Sequence, residues 1–307
     1  MTIGDYKDNL LRKMNMIEII EYFEDSEFVF RAKKINVCRK KTAFEILDSL
    51  DVKVETHTYK RGENLIATIG KAPYIGLGSH YDVVEGSPGA NDNASAIAVS
   101  LDILRKAKED PLENLGLKAF FFDEEEEYLR GSRAYVKDKG YLDLIGLYNM
   151  ELVGAGENIA IWVEGNIFEG NLVRILESNS KNLGVNTYRV PNISNFMRNS
   201  GDHESFIEAG MKEAFCITAI TNRDVELIKK FRLIQGDRIS NTKNEYLKNT
   251  LDLILGGTDI FSSSDLFKHY HKSSDSVENI NEKSLQMTSD VLWNSIKEID
   301  KNYVAES

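Results

Sequence analysis

The sequence has little cysteine and little proline. Cys38 and Cys216 are the only cysteines in 307 residues, and neither belongs to a CxxC motif. Two cysteines cannot stabilise a chain of this length through disulfides, which favours a reducing compartment, and we expect a cytoplasmic protein. The four prolines form no proline-rich linker, so we expect one continuous domain over residues 1–307.

Basic excess and long apolar runs are also missing. Asp and Glu number 49 against 38 Lys and Arg, which gives a formal charge of -11 and argues against nucleic acid as a partner. No apolar window of about 18 residues is present, so we expect no membrane span. The opening MTIGDYKDNLLRK lacks the apolar segment of a secretory signal. Arg39, Lys40 and Lys41 lie among acids, and we expect them on a solvated helix face.

The rest of the pattern predicts a layered α/β fold. Helical spacing is found around residues 10–23, 39–50 and 282–301, and in ASAIAVSLDILRKAK and NLVRILESNSKNLG. Apolar strands alternate with these helices, namely YIGLGSHYD, LKAFFFD, LIGLYNMEL and AFCITAI. Residues 222–262 interrupt the alternation with a polar stretch rich in Asn, Lys and Gly, and they predict an insertion or a lid.

Three successive strands end in acids or histidine. His80 and Asp82 end the first, the run Glu124 to Glu127 follows the second, and Glu151 ends the third. Ligands of such sheets bind beyond the carboxyl ends of the strands. Each feature also has an ordinary explanation: the His-x-Asp pair is incidental in most proteins, and a run of acids is usually a solvated face.

Two further candidates lie outside the strands. Asp92 stands in GANDNAS, directly before a predicted helix, where an Asp also serves as a helix cap. His271 lies in KHYHKSSDSVENI. Two imidazoles with several carboxylates suit zinc, and one carboxylate can bridge two metals while a spare Glu acts as general base. Bound cations would also relieve the repulsion among adjacent carboxylates.

These residues resemble the motifs of a known family. SHYDVV, GANDNASAIAV, FFFDEEEEYLRGS, YNMELVG, SGDHESFIEAG and YHKSSDSVENI are similar, in this order, to the motifs of the family-28 zinc aminopeptidases, from about residue 30 to 285. The resemblance implies a single peptidase domain with a three-layer α/β/α sandwich, whose central sheet is mixed and mostly parallel (phosphorylase/hydrolase-like). It implies two zinc ions per chain and hydrolysis of the N-terminal residue of peptide substrates by metal-activated water.

The resemblance also assigns residues. Counting back from Gly131 and Ser132 makes Glu125 the general base and Glu126 a metal ligand. The other implied ligands are His80 and Glu151 for one metal, His271 for the other, and Asp92 as the bridge. Asp82 is implied to orient His80, and Tyr270 to donate a hydrogen bond to the oxyanion. A cis peptide bond is implied between Asp92 and Asn93.

The chain departs from the family pattern at three points. Glu151 stands where many members have Asp, and Tyr128 stands where the family often has Gly. SGDH replaces the commoner Ser-Asp-His, and we consider a substrate-side role for Asp202 and His203 beside a role at a helix start.

Three alternatives stay open. The first is a single-zinc acyltransferase of the glutaminyl cyclase type, the second a dipeptidase or carboxypeptidase on the same site, and the third a relative without activity. H-E-x-x-H, G-x-S-x-G, P-loop and G-x-G-x-x-G motifs are absent. The preferred substrate residue and the oligomeric state do not follow from the sequence. We expect residues 155–200 and 222–262 to form the substrate pocket.

Overall fold

The computed structural model describes residues 11–24, 32–163, 170–191, 201–229 and 264–303. Its labelled helices are α1 (Met16–Glu24), α2 (Ala32–Ser49), α3 (Ser95–Glu109), α4 (Arg130–Lys139), α5 (Asn171–Asn182), α6 (His203–Glu208) and α7 (Glu282–Asn302). The strands are β1 (Lys53–Thr58), β2 (Glu63–Ile69), β3 (Tyr74–His80), β4 (Gly116–Phe122), β5 (Leu144–Met150), β6 (Asn158–Val163), β7 (Thr187–Pro191) and β8 (Ala214–Ile220).

These eight strands form one mixed sheet in the order β1-β2-β4-β3-β5-β8-β6-β7. The four central strands β4, β3, β5 and β8 run parallel to one another. On one side β2 and β1 continue the sheet in antiparallel fashion, and on the other β6 is antiparallel to β8 and parallel to β7. The prediction of a mixed, mostly parallel sheet is confirmed, and its parallel centre points several strand carboxyl ends to one edge.

Helices cover both faces of the sheet, which confirms the three-layer architecture. Alternate residues of β4 show the division: Leu117, Ala119 and Phe121 pack into one apolar cluster, while Phe120 and Phe122 pack into a second one. The first cluster contains side chains of α1, α2, α3, α5 and α7, and the second contains side chains of α4 and α6. Because side chains alternate across a strand, a strand buried on both faces is apolar along most of its length. In β4 the exception is Lys118, which is buried and paired with Asp143.

The structure differs from the sequence prediction at Arg39 and describes only part of the predicted insertion. Arg39 lies on α2 but is fully buried, so the solvated face expected for residues 39–41 is wrong at this position. Residues 222–229 are helical, and the remainder of the predicted insertion, 230–262, lies outside the described residues.

In the described part of the chain, no helix combines the length and apolar character that a membrane crossing requires.

Candidate metal and catalytic site

The carboxyl ends of the central strands bring the first site residues together. His80 is the last residue of β3 and pairs with Phe122, the last residue of β4. Glu125 and Glu126 follow β4 after two residues, and Glu151 follows β5 directly. Parallel strands end at the same edge of the sheet, so the local sequence places an imidazole and three carboxylates at one edge.

Asp92 reaches this edge from the turn of residues 90–94, which precedes α3. Its backbone is not helical, and no side chain caps α3, so the helix-cap explanation fails. The Asp275 carboxylate accepts hydrogen bonds from the backbone N–H groups of Asn91 and Asp92, at 2.8 and 3.0 Å. The cis peptide bond expected between Asp92 and Asn93 is present.

The five predicted ligand residues form two groups that share Asp92. His80 Nε2 lies 3.2 Å from Asp92 Oδ1 and 3.3 Å from Glu151 Oε2. His271 Nε2 lies 3.2 Å from Asp92 Oδ2 and 3.1 Å from Glu126 Oε2. In each group, ligand atoms of all three residues lie within 4.8 Å of one another. The arrangement thus offers two adjacent three-residue cation sites with one carboxylate in common.

The donor atoms fit cations better than they fit hydrogen bonds. Asp92 Oδ2 and Glu126 Oε1 are buried and have no hydrogen-bond partner in the described structure. His271 Nε2 is within 3.2 Å of the same Asp92 oxygen, yet the pair lacks hydrogen-bond alignment. Buried polar atoms are rarely left unsatisfied, and imidazole nitrogen with carboxylate oxygen is the donor set that zinc accepts.

Burial and mutual contacts shift the protonation of these groups. Burial raises the pKa of Glu125 well above its ordinary value, and that of Glu126 to about 7. Burial alone would lower the pKa of His271, but Asp92 and Glu126 raise it to about 9. Burial opposes ionisation of Asp92, yet the imidazoles of His271 and His80 outweigh it and hold the pKa low. Without a cation the site therefore retains protons that a cation would displace.

Asp82 connects His80 to the two glutamates. His80 Nδ1 lies 3.0 Å from the backbone carbonyl of Asp82. A carbonyl only accepts, so Nδ1 carries a proton and Nε2 is the nitrogen that faces the site. Burial alone would lower the pKa of His80, but Glu151, Asp82 and Asp92 raise it well above its ordinary value, so a cation would displace a proton from Nε2. The Asp82 carboxylate accepts the backbone N–H groups of Glu125 and Glu126, both at 3.1 Å. Asp82 thus contacts His80 as expected and also fixes the segment that carries both glutamates.

Two asparagines, neither of which was predicted as a site residue, hold Glu151. Asn93 Nδ2 donates to Glu151 Oε2 at 2.5 Å, and Asn149 Nδ2 donates to Glu151 Oε1 at 3.0 Å. The position of Asn149 was a usable signal, because residues two apart on a strand point to the same face. The longer Glu side chain is therefore held at both carboxylate oxygens.

Arg39 supports the Asp92 turn from behind. Its Nη2 donates to the backbone carbonyls of Pro88 and Gly89, at 2.5 and 2.6 Å. Gly89 begins the turn with a φ of +67°, and a Cβ there would lie 2.4 Å from the Asp92 carbonyl oxygen. The buried guanidinium thus holds the backbone at Gly89, a position that no larger residue could occupy.

Asp202 and His203 lie at the start of α6, and both are buried. Neither lines the cavity described below. Burial raises the pKa of Asp202 well above its ordinary value and lowers that of His203 to about 4. The structure gives no support for direct contact between these two side chains and a substrate.

A cavity of about 240 Å³ opens beside the two groups of residues that could bind cations. Its walls away from the carboxylates are mostly apolar and comprise Tyr128, Leu152, Trp162, Cys216, Thr218, Leu266, Phe267 and Tyr270. The Tyr270 ring stacks on the His271 imidazole with centroids 3.7 Å apart. Among the described wall residues, Trp162 alone comes from the segments expected to form the pocket. Apart from the carboxylates, the cavity suits an apolar side chain.

Comparisons with known proteins agree with this geometry. The model of "Peptidase family M28" matches residues 64–296. The aminopeptidase YwaD of Bacillus subtilis (strain 168) is 27% identical over 214 residues, which cover 66% of this chain and 45% of the relative. The chain therefore spans less than half the length of this curated relative.

Solved structures show the same fold. The LapA aminopeptidase of Legionella pneumophila superposes with a TM-score of 0.67 at 16% identity, over 98% of this chain and 76% of the other. The glutaminyl cyclase of Porphyromonas gingivalis superposes with a TM-score of 0.66 at 15% identity, over 92% of this chain and 97% of the other. At these identities the likeness concerns the fold, and the chemistry must be argued from the site.

Proposed function

Because the chain belongs to peptidase family M28, we propose that it is a zinc-dependent aminopeptidase that releases N-terminal residues from peptides. The observation that carries the proposal is the pair of three-residue groups sharing Asp92. M28 is a family of zinc peptidases, and two neighbouring metals are the arrangement of aminopeptidase-type sites.

The proposal assigns two zinc ions to each chain. His80, Asp92 and Glu151 would hold one ion, and Asp92, Glu126 and His271 the other. The unpartnered oxygens of Asp92 and Glu126 support this assignment, since each would gain a partner on loading. Bound zinc would polarise the scissile carbonyl and lower the pKa of the attacking water.

Glu125 is the proposed general base. It lies within ligand distance of His80 and Glu126 but is in neither of the groups that share Asp92, and its Oε2 is 3.9 Å from His80 Nε2, farther than the Asp92 and Glu151 oxygens. Burial raises its pKa, which favours acceptance of a proton by the carboxylate. Glu125 would take the proton of the attacking water and deliver it to the leaving amine. The hydrogen bonds to Asp82 fix the backbone at Glu125 while this happens.

The remaining residues would position the substrate. The carboxylates of Glu125 and Glu151 favour a cationic N-terminal amine at the mouth of the site. The apolar cavity wall formed by Leu152, Trp162 and Leu266 would receive the side chain of the first residue. Tyr270, which lines the same cavity, would donate its hydroxyl hydrogen to the developing oxyanion.

The likeness to a glutaminyl cyclase keeps a second candidate in view, a single-zinc acyltransferase. This reaction transfers an acyl group within the substrate and needs no hydrolytic water. A complete second group, formed by Asp92, Glu126 and His271, favours the peptidase because both metals can then be held.

Digestion of a peptide library by the zinc-loaded protein, read by mass spectrometry, tests the proposed activity. We expect removal of single residues from the N-terminus, with apolar first residues preferred. Glu125→Gln is the matched control, and the loss of its proton transfer should lower the rate by roughly 10²–10⁴-fold. Cleavage from the C-terminus, cleavage of dipeptides alone, or cyclisation of N-terminal Gln would contradict the proposal.

A further inference from the structure

Tyr128 occupies a backbone conformation that is unfavourable for its side chain. Its φ is +69°, and the next residue, Leu129, has a φ of +57°. Bulky residues rarely adopt this left-handed region, and glycine adopts it without cost. Leu129 is fully buried, so packing can offset the cost there. Tyr128 is 66% exposed, so its burial does little to offset the cost.

Hydrogen bonds fix Tyr128 relative to the proposed general base. The backbone N–H of Leu129 donates to the carbonyl of Glu125 at 2.9 Å, and that of Arg130 donates to the carbonyl of Glu124 at 3.0 Å. Arg133 Nη1 donates to the carbonyl of Tyr128 itself at 3.0 Å. The strained residue therefore lies in a well-tied turn that also carries Glu125.

The side chain of Tyr128 forms part of the wall of the catalytic cavity. The same cavity is lined by Glu125 and Glu126, and by the aromatic residues Phe267 and Tyr270. Within the described residues, no ring contact of Tyr128 with another aromatic side chain is found. A solvent-exposed ring at the cavity rim, held there at a conformational cost, is a feature typical of functional sites.

The chemistry determines which part of a substrate meets this ring. Glu125 must reach the leaving amine in order to protonate it, so the residue after the scissile bond lies beside the turn that carries Glu125 and Tyr128. We propose that Tyr128 determines specificity by contact with the second residue of the peptide, and that it favours an aromatic side chain there. This inference rests on the proposed aminopeptidase function.

The test compares substrates that differ only at the second residue, Leu-Phe-Ala and Leu-Gly-Ala. For the zinc-loaded protein we expect kcat/KM to favour the phenylalanine peptide by roughly three- to tenfold, the range of a single aromatic pair. Tyr128→Gly should bring this ratio close to one, and Tyr128→Phe should preserve it. Leu142→Gly is the control, because Leu142 is exposed and precedes the opposite end of β5. This substitution should leave the ratio unchanged.

The stability of the same variants gives a readout that does not depend on turnover. If Tyr128 is strained and unpacked, Tyr128→Gly should keep the Tm or raise it by up to about 3 °C. A clear fall in Tm would show that packing holds the ring, and would overturn the inference. An aromatic preference that survives in Tyr128→Gly, or that the wild type lacks, would overturn it as well. Absence of N-terminal cleavage of either peptide would instead overturn the proposed function.

Discussion

Asp92 joins the two halves of the site, and its position depends on Asp275. The Asp275 carboxylate accepts hydrogen bonds from the backbone N–H groups of Asn91 and Asp92. The Asp92 carboxylate in turn lies beside both His80 and His271. The sequence suggested Asp92, because it lies in GANDNASAIAV, one of the motifs that carry the family resemblance. It gave no such indication for Asp275, since the contact joins residues far apart in the chain and becomes visible only after folding.

Asp275→Asn should weaken zinc binding. An amide keeps one acceptor oxygen but turns an NH2 group toward the second backbone N–H, so the Asp92 turn loses a hydrogen bond. We expect a loss in zinc affinity of roughly 10–100-fold, measured by competition with a chromogenic chelator. Asp110→Asn is the control, because Asp110 is exposed and follows the opposite end of α3. Equal affinities for the two variants would contradict the role assigned to Asp275.

The helix α2 shows that a sequence pattern can predict a helix without predicting which of its side chains are buried. Helical spacing predicted a helix over residues 39–50, but it predicted neither the start of α2 at Ala32 nor the burial of the Arg39 side chain. A cluster of basic residues usually indicates an exposed face, whereas here the long Arg39 side chain reaches the backbone carbonyls of Pro88 and Gly89, the second of which also accepts from the Ala94 N–H. Its charge also faces the buried carboxylates of Asp275 and Asp92. One element can therefore combine an exposed basic surface with a buried cation.

Arg39→Met and Lys41→Met compare these two environments on one helix. Removal of Arg39 takes the side-chain donor from the Pro88 carbonyl and one of two donors from the Gly89 carbonyl, and it leaves nearby buried carboxylates uncompensated. It should lower the free energy of unfolding by about 3 kcal/mol. Lys41 is largely exposed, and its replacement should change that free energy by no more than about 0.5 kcal/mol. Urea denaturation of both variants measures the difference. Similar small losses would show that Arg39 is not a structural anchor.

For the whole molecule, the order of the strands was not predicted, whereas the layered α/β fold was, from apolar strands that alternate with helices. The antiparallel attachment of β1, β2 and β6 was not predicted either, because pairing direction depends on contacts between distant segments. A single domain over residues 1–307, an insertion at 222–262 and a cytoplasmic location stay predictions. The formal charge of -11 also acquires a structural meaning, since four acids gather at the proposed site: the ligands Asp92, Glu126 and Glu151, and the general base Glu125.

Removal of metal should destabilise the protein, and increasingly so as the pH rises. Burial raises the pKa of Glu126 to about 7, and its carboxylate neighbours raise that of His271 to about 9. A group whose pKa is higher in the folded than in the unfolded protein binds its proton more tightly when folded. Its full contribution to stability is present below the pKa of the unfolded chain, and it is lost as the pH rises through the pKa of the folded protein. The metal-free protein should therefore lose stability between about pH 5 and pH 9.

Zinc would replace those protons, so the Tm gap between zinc-loaded and chelated protein should widen from pH 5 to pH 8. Differential scanning fluorimetry at both pH values measures the gap. A chelated protein with the Tm of the zinc-loaded form at both pH values would show that the carboxylate cluster does not bind a stabilising cation.

The number of metal ions per chain is the quantity that decides whether Asp92 joins two cation sites. Elemental mass spectrometry of the zinc-loaded protein, combined with an accurate protein concentration, gives that number without reference to any substrate. Because His80, Asp92 and Glu151 form one group and Asp92, Glu126 and His271 the other, we expect two zinc ions per chain. A firm value of one would contradict the shared role of Asp92 and favour the single-zinc acyltransferase.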